Sequence, residues 1–316
     1  MKADGTIVRC SREENAELFS LVLGGYGLFG IILDVELEVV PNRRYRREQI
    51  VVPADQSLAA FDEVLREHPD VSLIYARMNV SADQFLDGVI LSVFHDEPSA
   101  DGSLPPLQEP GMTQLRRLIF RGSADSEYGK RLRWDAETEL QPLVAREFYS
   151  RNQLLNEGVE VFENRSSDTT DILHEYFLPR HNVRTFVLQL RNLIPRHGGN
   201  LLNVTVRSVD RDDDSFLRYA DRPMLSLVML FVQPRTAAGE AKMQEMTREM
   251  IDVAISLGGR YYLPYRLHAT PQQFHQAYPQ AEEFFKLKRK YDPDELFQNQ
   301  FYLRYGMSQH VGAKAN

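Results

Sequence analysis

The 316-residue sequence has little of several features that would mark particular protein classes. Its one cysteine, Cys10, excludes an intrachain disulfide and a zinc site built on cysteines, and fits a reducing compartment. No apolar run approaches the roughly 20 residues of a membrane helix, and Met1 to Gly5 lack the apolar stretch of a signal peptide. Basic residues number 37 against 45 acidic ones, so the net charge of −8 gives no sign of nucleic-acid binding. We therefore expect a cytoplasmic protein with no integral membrane segment and no nucleic-acid partner.

The remaining composition is that of an ordinary globular protein. Hydrophobic residues make up 43% and charged residues 26% of the chain, which excludes a disordered tail or a fibrous protein. The length suggests two domains or one large one.

The first forty residues predict two short strands around a helix. A strand is predicted at 6–10, and Ser11 with Glu14 forms a capping-box pattern that predicts the start of a helix. Gly24 and Gly25 end that helix. Apolar residues then alternate with mostly acidic ones over 31–39, a period of two that predicts a strand ending at Pro41.

A β-α-β-β pattern follows twice. Strands are predicted at 49–52, 72–80 and 85–94, with a helical stripe at 58–65. The pattern recurs as strands at 172–178, 201–209 and 224–232 with a helix over 183–194, followed by a second helix over 243–257. Two such halves predict an α+β fold in which one large, mainly antiparallel sheet is flanked by helices that lie on one face.

The remaining segments are less regular. Residues 96–111 predict a loop, and 112–156 favour helix with breaks at Gly122 and Gly129. In the tail, a short strand is predicted at 260–263. Two helices follow, the first opened by Thr270 as N-cap and the second spanning 281–290.

Residues 25–30 match the GxGxxG pattern of dinucleotide-binding folds. That fingerprint requires a strand before the glycines and a helix after them, because the helix N-terminus binds the pyrophosphate. Here the order is helix, glycines, strand, so we reject a Rossmann fold. A tight turn with backbone close to another group remains, and so does the simpler interpretation of a helix cap.

Polar clusters supply further candidates. The segment 261–268 combines tyrosines, an arginine and a histidine that could line a pocket for a planar anionic ligand, or lie half-buried on an edge strand. Asn203, Thr205 and Arg207 share one face of a predicted strand, which is either solvated or part of a site. His174 and His181 lack the regular spacing of metal ligands, so we expect no metal site.

Several motifs in this order resemble the vanillyl-alcohol oxidase superfamily, whose members carry a PCMH-type FAD-binding domain. The N-terminal motifs are Ala-Asp-Gly-Thr at 3–6, Asn-Ala-Glu-Leu-Phe at 15–19 and Gly-Gly-Tyr-Gly-Leu-Phe-Gly-Ile-Ile at 24–32. The C-terminal motifs are Tyr-Pro at 278–279, the stretch 284–293 and Leu-Phe at 296–297. The resemblance implies a flavoprotein that oxidises a hydroxyl group of a sugar-like or alcohol-like small molecule by hydride transfer to flavin N5.

The resemblance also implies cofactor-binding residues. Gly24, Gly25, Gly27, Gly30 and Ile32 match the family segment that lies along the FAD.

It further implies residues around the flavin ring and the substrate. Tyr262 matches a position that faces both groups, and Glu175 and Arg207 match polar positions on the cap strands above the ring. Glu175 is the carboxylate candidate for taking the hydroxyl proton, with substrate hydrogen bonding as its competing role. Tyr265 and Arg266 lie where relatives often place a lysine near flavin N1, so they are cofactor-binding candidates.

The resemblance divides the chain into three parts. Residues 1–42 match the C-terminal half of the FAD-binding domain, 43–258 the substrate (cap) domain, and 259–316 a C-terminal segment that returns to the FAD domain. Family members carry an N-terminal subdomain ahead of the first part, and it holds the loop that binds the FAD pyrophosphate. The sequence is therefore expected to be a truncated or split enzyme that binds FAD poorly alone. A separately encoded N-terminal FAD subdomain or a homo-oligomer are its candidate partners.

Two alternatives remain open. The chain is a non-catalytic fragment or subunit-like module that completes a separate FAD-binding partner, or it is an unrelated α+β domain without flavin. The truncated enzyme and the subunit-like module share one expectation, namely that the 31–39 strand has an unmatched apolar side that promotes association.

Overall fold

The structure is a computed structural model that describes residues 1–108, 111, 113–124, 126–140, 145–156 and 158–307. Parts of the predicted 96–111 loop, of the helix-favouring stretch 112–156 and of the C-terminal segment 259–316 lie outside the described residues.

Eight strands form one sheet in which every neighbouring pair is antiparallel. They are β1 (Arg44–Pro53), β2 (Val71–Met78), β3 (Gly88–Asp96), β4 (Phe148–Ser150), β5 (Thr169–Pro179), β6 (Asn200–Val209), β7 (Met224–Pro234) and β8 (Arg260–Tyr261). Their order is β4-β1-β3-β2-β6-β7-β5-β8. The two predicted β-α-β-β halves meet where β2 pairs with β6. Tyr75 on β2 lies opposite Arg207 on β6 in this pairing. The α+β prediction is confirmed.

Nine α-helices accompany the sheet in the described part of the chain. They are α1 (Ala16–Val22), α2 (Ser57–Glu67), α3 (Thr113–Gly122), α4 (Glu127–Asp135), α5 (Arg151–Leu155), α6 (Val183–Arg196), α7 (Ala237–Ser256), α8 (Pro271–Ala277) and α9 (Ala281–Tyr291). Short π-helical turns occur at Ala136–Leu140 and Tyr302–Gly306. None of the helices in this part combines the length and apolar character needed to cross a bilayer.

The main core lies between the sheet and α2, α6 and α7; we call this side of the sheet the helix face. Helix α6 repeats apolar residues at helical spacing, and all six of its predicted core positions are buried. Phe186 and Leu190 have no exposed area. Alternate strand residues such as Leu227 and Met229 complete the core from the sheet.

The opposite side of the sheet, which we call the open face, is only partly covered. Helix α3 packs Phe120 against Leu202 and Val232, and Arg133 of α4 donates to the Leu202 carbonyl. The expectation that helices lie on one face is therefore wrong. Both faces of the strands carry apolar residues at this end of the sheet, so a second helical layer can pack there.

The first forty residues differ from the prediction. Neither 6–10 nor 31–39 forms a strand, because no neighbouring strand among the described residues pairs with them. Ser11 accepts hydrogen bonds from the N–H groups of Glu13 and Glu14 in a turn, and the helix begins only at Ala16. Apolar side chains of the segment 31–40 are exposed, Leu37 by 75% and Val39 by 83%.

Of the two helix breaks predicted in 112–156, one is confirmed and one is wrong. Gly122 ends α3, but Gly129 lies inside α4, where its N–H donates to the N-cap hydroxyl of Ser126 at 3.0 Å.

Cys10 is half-buried, and burial raises the pKa of its thiol, which makes the reactive thiolate scarcer.

Candidate functional site

A buried carboxylate lies on the open face near one edge of the sheet, on the strand next to β8. Glu175 on β5 points away from the helices, and its side chain is 3% exposed. Arg207 on β6 donates to Glu175 Oε1 at 2.7 Å, and the Ser226 hydroxyl on β7 donates to the same oxygen at 2.5 Å. A carboxylate loses its hydration when buried, so it needs such partners. The β5-β7-β6 order brings these three residues together.

Arg207 supplies both charge and free donor groups. Burial opposes its charge, but the hydrogen bond and ion pair with Glu175 outweigh this effect and raise the pKa of the guanidinium. Its side chain is 54% exposed. A guanidinium has five N–H donors, so Arg207 can bind Glu175 and still donate to an oxygen of a ligand above the sheet.

Aromatic rings border this pair. Phe177 stacks on Tyr219 with ring centroids 4.2 Å apart, and Tyr262 lies 5.5 Å from Tyr219 and 5.2 Å from Tyr265. The Tyr262 N–H donates to the Glu175 carbonyl at 2.9 Å, which ties the C-terminal segment to β5. We call Phe177, Tyr219, Tyr262 and Tyr265 the aromatic border.

Two tyrosines of this border, Tyr219 and Tyr265, have raised pKa values and stay protonated. Burial, followed by the nearby Tyr262 and Glu175, raises the pKa of the Tyr219 phenol. Burial and Glu175 likewise raise the pKa of Tyr265. A neutral phenol can donate a hydrogen bond as well as accept one. The border therefore offers flat apolar faces and hydroxyl donors beside one ion pair.

The glycine-rich turn approaches the same region through Tyr26. Its ring lies 4.9 Å from Phe301, and its carbonyl accepts a hydrogen bond from Asn299 at 2.7 Å. Burial raises the pKa of Tyr26, and Tyr262 and Tyr219 add to that effect. Through Phe301 and Asn299 the turn is packed against the C-terminal segment, which also carries Tyr262 and Tyr265.

The four predicted glycines fall into two groups. Gly24 and Gly27 have φ angles of 65° and 71°, and a Cβ atom at either would meet no other atom within 4 Å. A Cβ at Gly25 would collide with the Leu21 carbonyl at 1.9 Å, and one at Gly30 would approach the Met1 carbonyl at 2.7 Å. Gly25 and Gly30 are therefore explained by packing within the chain. Gly24 and Gly27 leave open space beside the backbone.

The remaining cofactor candidates lie in different surroundings. Ile32 is 59% exposed in the unpaired segment 31–40. Arg266 forms an ion pair with Glu240 on α7, whose carboxylate also accepts a hydrogen bond from His268 Nε2 at 2.8 Å. Arg266 therefore neutralises a carboxylate on α7, and the structure does not unite it with Glu175 and Arg207. Tyr265 is the member of this pair that joins the aromatic border.

Sequence reasoning missed three neighbours of the site, Ser226, Tyr219 and Tyr26. Ser226 interrupts an otherwise apolar strand, and a buried serine in such a strand was the available signal. Tyr219 and Tyr26 lie in loops, where no periodic pattern shows which way a side chain points.

His174 belongs to another environment. It lies beside Glu175 on β5 but points to the helix face, where the Thr247 hydroxyl approaches at 3.3 Å. Adjacent strand residues point to opposite faces, so His174 and Glu175 cannot bind one ion together.

Comparisons with known proteins place this architecture among FAD-linked oxidases. Among solved structures, a solvent-stable cholesterol oxidase shares the fold, with a TM-score of 0.60 over 91% of this chain and 64% of that chain at 14% identity. L-gulonolactone oxidase of Mus musculus is 22% identical over 305 residues, which is 95% of this chain and 66% of the relative. The chain thus spans somewhat less than two thirds of the length of these relatives.

Residues 129–305, more than half of the chain, match the family model of D-arabinono-1,4-lactone oxidase. The chain belongs to this family of FAD-linked oxidases, which confirms the resemblance to the superfamily.

The residues present fit the cofactor of that class. The open space beside Gly24 and Gly27, the exposed apolar segment 31–40 and the flat rings of the aromatic border suit a planar heterocycle. The guanidinium of Arg207 suits a polar ligand at its edge.

Proposed function

We propose that this chain carries the substrate-binding part of an FAD-dependent oxidase that acts on a hydroxyl group of a small sugar-like or lactone molecule. One observation supports this most strongly: the buried Glu175 is held by Arg207 and Ser226 on the open face, beside four aromatic rings. Burying an ion pair costs desolvation free energy that its attraction often does not repay, so stability alone is a weak reason for one. A buried pair with a half-exposed guanidinium instead fits recognition of a polar ligand.

FAD, when bound, accepts the hydride that leaves the carbinol carbon. Glu175 receives the hydroxyl proton in this proposal, at Oε2, the oxygen that neither Arg207 nor Ser226 touches. Arg207 donates to a substrate oxygen and fixes the orientation of the carboxylate. Tyr262 and Tyr265, whose rings meet edge to face, border the reacting carbon and exclude water.

The proposed cofactor-binding residues remain those of the glycine turn and the C-terminal segment. Gly24 and Gly27 supply open backbone, Gly25 and Gly30 hold the turn in shape, and Ile32 offers an exposed apolar contact.

Tyr265 and Arg266 are proposed to act differently from each other. Tyr265 contacts the ring directly, whereas Arg266 keeps the segment in place through its ion pair with Glu240.

We also propose that residues 1–42 and 259–316 form one unit and 43–258 the other. Ring contacts between Phe29 and Phe284 at 5.0 Å support the first unit. Its second support is the ion pair of Lys290 with Glu17 at 2.7 Å.

The cofactor assignment is tested by titrating the purified chain with FAD and recording flavin fluorescence, which stacking on tyrosine quenches. Because the chain is expected to bind FAD poorly alone, we expect weak quenching that saturates only near millimolar FAD and that Tyr262→Ala weakens at least tenfold. Tyr128→Ala, at a 75% exposed position on α4, serves as the matched control and should leave it unchanged. Absence of quenching at millimolar FAD, together with absence of lactone-dependent oxygen consumption, contradicts the proposal.

A second candidate, a non-catalytic module that completes a separate FAD-binding polypeptide, is favoured by the exposed apolar segment 31–40. Seven apolar side chains of this segment are exposed, and contiguous exposed apolar surface often marks a site for a partner chain. Size-exclusion chromatography with light scattering distinguishes the cases. A dimer that Leu37→Ser dissociates indicates a second copy at this segment, whereas a stable monomer with FAD-dependent activity excludes the module.

A further inference from the structure

A second cluster of reactive side chains lies on the other side of the sheet, three strands away from β5. It consists of His68 and Asp70, between α2 and β2, and His95 near the end of β3. One donor atom from each lies within 4.8 Å of the other two. The catalytic proposal uses none of them.

The fold positions these residues through its backbone. His68 follows the last residue of α2, and its N–H donates to the Val64 carbonyl at 3.0 Å. The Asp96 N–H donates to the Asp70 carbonyl at 2.7 Å, which joins the entry of β2 to the end of β3. A β-bulge follows at once, between Val71 and Leu73. Bulges redirect side chains, and this one brings Asp70 towards His95.

His95 is the buried member, with 2% of its surface exposed. Its Nδ1 lies 2.7 Å from Asp70 Oδ2, and its Nε2 lies 2.9 Å from Glu48 Oε2 on β1. A neutral imidazole has one N–H and one lone pair. With Nε2 beside Glu48, the Nδ1 atom and the Asp70 carboxylate oxygen lie side by side, so one cation can contact both.

Glu48 then has the role that second carboxylates have at many metal sites. A histidine ligand commonly donates its other N–H to a carboxylate, which fixes the tautomer and the ring orientation. His68 approaches His95 edge-on, with ring centroids 5.3 Å apart and planes at 87°.

The electrostatic surroundings favour a cation. The C-terminus of α2 carries the negative end of the helix dipole beside His68. The nearest basic neighbour on β1 is Arg46, opposite His95 in the strand register, and it is paired with Glu97 at 2.9 Å.

We propose that His68, Asp70 and His95 bind one divalent transition-metal ion of the zinc class, with water in the fourth position. Two imidazoles and one carboxylate suit Zn²⁺. Tetrahedral ligand atoms lie about 3.3 Å apart at ordinary Zn–N and Zn–O distances. Asp70 and His68 are exposed and can make this adjustment by side-chain rotation. The ion would fasten the end of α2 to the edge of β2 and β3.

The chain offers a matched control in a second cluster, His197 with Glu245 and Glu249. There Arg196 forms an ion pair with Glu249, and His197 lies 3.1 Å from the same carboxylate. A guanidinium at a ligand competes with a metal ion, so we expect this cluster to bind Zn²⁺ poorly.

The experiment is isothermal titration of the untagged, metal-free chain with Zn²⁺, together with the visible spectrum of the Co²⁺ form. We expect one ion per chain, intense tetrahedral Co²⁺ bands, and loss of both in His68→Ala and in Asp70→Asn. Glu48→Gln should bind about 10–100-fold more weakly, and His197→Ala should bind like the unmodified chain.

Three outcomes would overturn the proposal. They are no saturable binding below 1 mM (roughly the weak end of specific metal sites), binding that survives both His68→Ala and Asp70→Asn, and binding that His197→Ala removes. Circular dichroism of each variant verifies the fold. Since His68 and Asp70 are both exposed, at least one of their variants should retain it.

Discussion

Two neighbouring residues of β5, His174 and Glu175, show how differently the two faces of the sheet treat charge. His174 points to the helix face, where burial lowers the pKa of its imidazole to about 3, so it is neutral and bonds to neutral partners such as Thr247. Glu175 points to the open face and keeps an ion pair with Arg207. At this point of β5 the helix face keeps a buried side chain neutral, whereas the open face holds a charge that packing alone would not favour.

The largest effect that sharpens this comparison is expected on the open face. Glu175→Gln keeps the shape and the hydrogen-bond partners but removes the proposed proton acceptor. We expect oxidase turnover of the FAD-loaded protein to fall about 10²–10⁴-fold, with little change in melting temperature. Glu160→Gln, on the exposed turn before β5, is the control. Turnover that stays within a factor of three would leave Glu175 a substrate-binding residue only.

On the helix face the corresponding change acts on stability. Phe186→Ala opens a cavity under α6 and should lower the free energy of unfolding by about 3–5 kcal/mol. Leu188→Ala, on the same helix at 43% exposure, should cost less than about 1 kcal/mol. Urea denaturation measures both. Equal losses would show that the helix face is not close-packed at α6.

The titration of His174 gives a pH test of the same face. The unfolded imidazole binds a proton below about pH 6.5, but the folded one stays neutral until about pH 3. The unfolded state thus binds more protons in this window, so stability present above pH 6.5 is lost as the pH falls.

The slope contributed by His174 is up to about 1.4 kcal/mol per pH unit. The pKa of His268 is lowered too, chiefly by burial, and adds in the same direction. Denaturation of the wild type and of His174→Gln at pH 7, 6, 5 and 4 should show a flatter dependence in the variant. Parallel curves would contradict the assignment.

The smallest effect is expected at the N-cap of α8. The Thr270 hydroxyl accepts a hydrogen bond from the Gln273 backbone N–H at 3.1 Å. The Gln273 side-chain oxygen in turn accepts one from the Thr270 backbone N–H. Thr270→Ala should cost about 1 kcal/mol and Thr270→Ser almost nothing. A loss as large as that of Phe186→Ala would mean that caps and packing contribute equally.

The sequence predicted the two β-α-β-β halves because their evidence is local. The short run over 172–178, which ends at Pro179, and the helical spacing over 183–194 are both visible in consecutive residues. The strand over 31–39 failed for the opposite reason. A strand requires a neighbour to accept its hydrogen bonds, and alternation alone does not provide one.

The candidate site, too, could be predicted only in part. Residue type and family resemblance brought forward Glu175, Arg207 and Tyr262, but their juxtaposition depends on β7 lying between β5 and β6. The His68, Asp70 and His95 cluster escaped sequence reasoning because a bulge and two separate segments create it.

The contact between the two ends of the chain has a consequence for the order of folding. Glu17 on α1 accepts hydrogen bonds from Lys290 and from the Tyr291 hydroxyl, both at 2.7 Å, across more than 270 positions of sequence. A growing polypeptide leaves the ribosome from its N-terminus, at about 5–20 residues per second. Leu18 and Leu21 of α1 are buried in the folded chain, but the contacts of Glu17 with α9 can form only after α9 has been synthesised. During synthesis α1 is a natural target for a chaperone that shields apolar segments until translation ends.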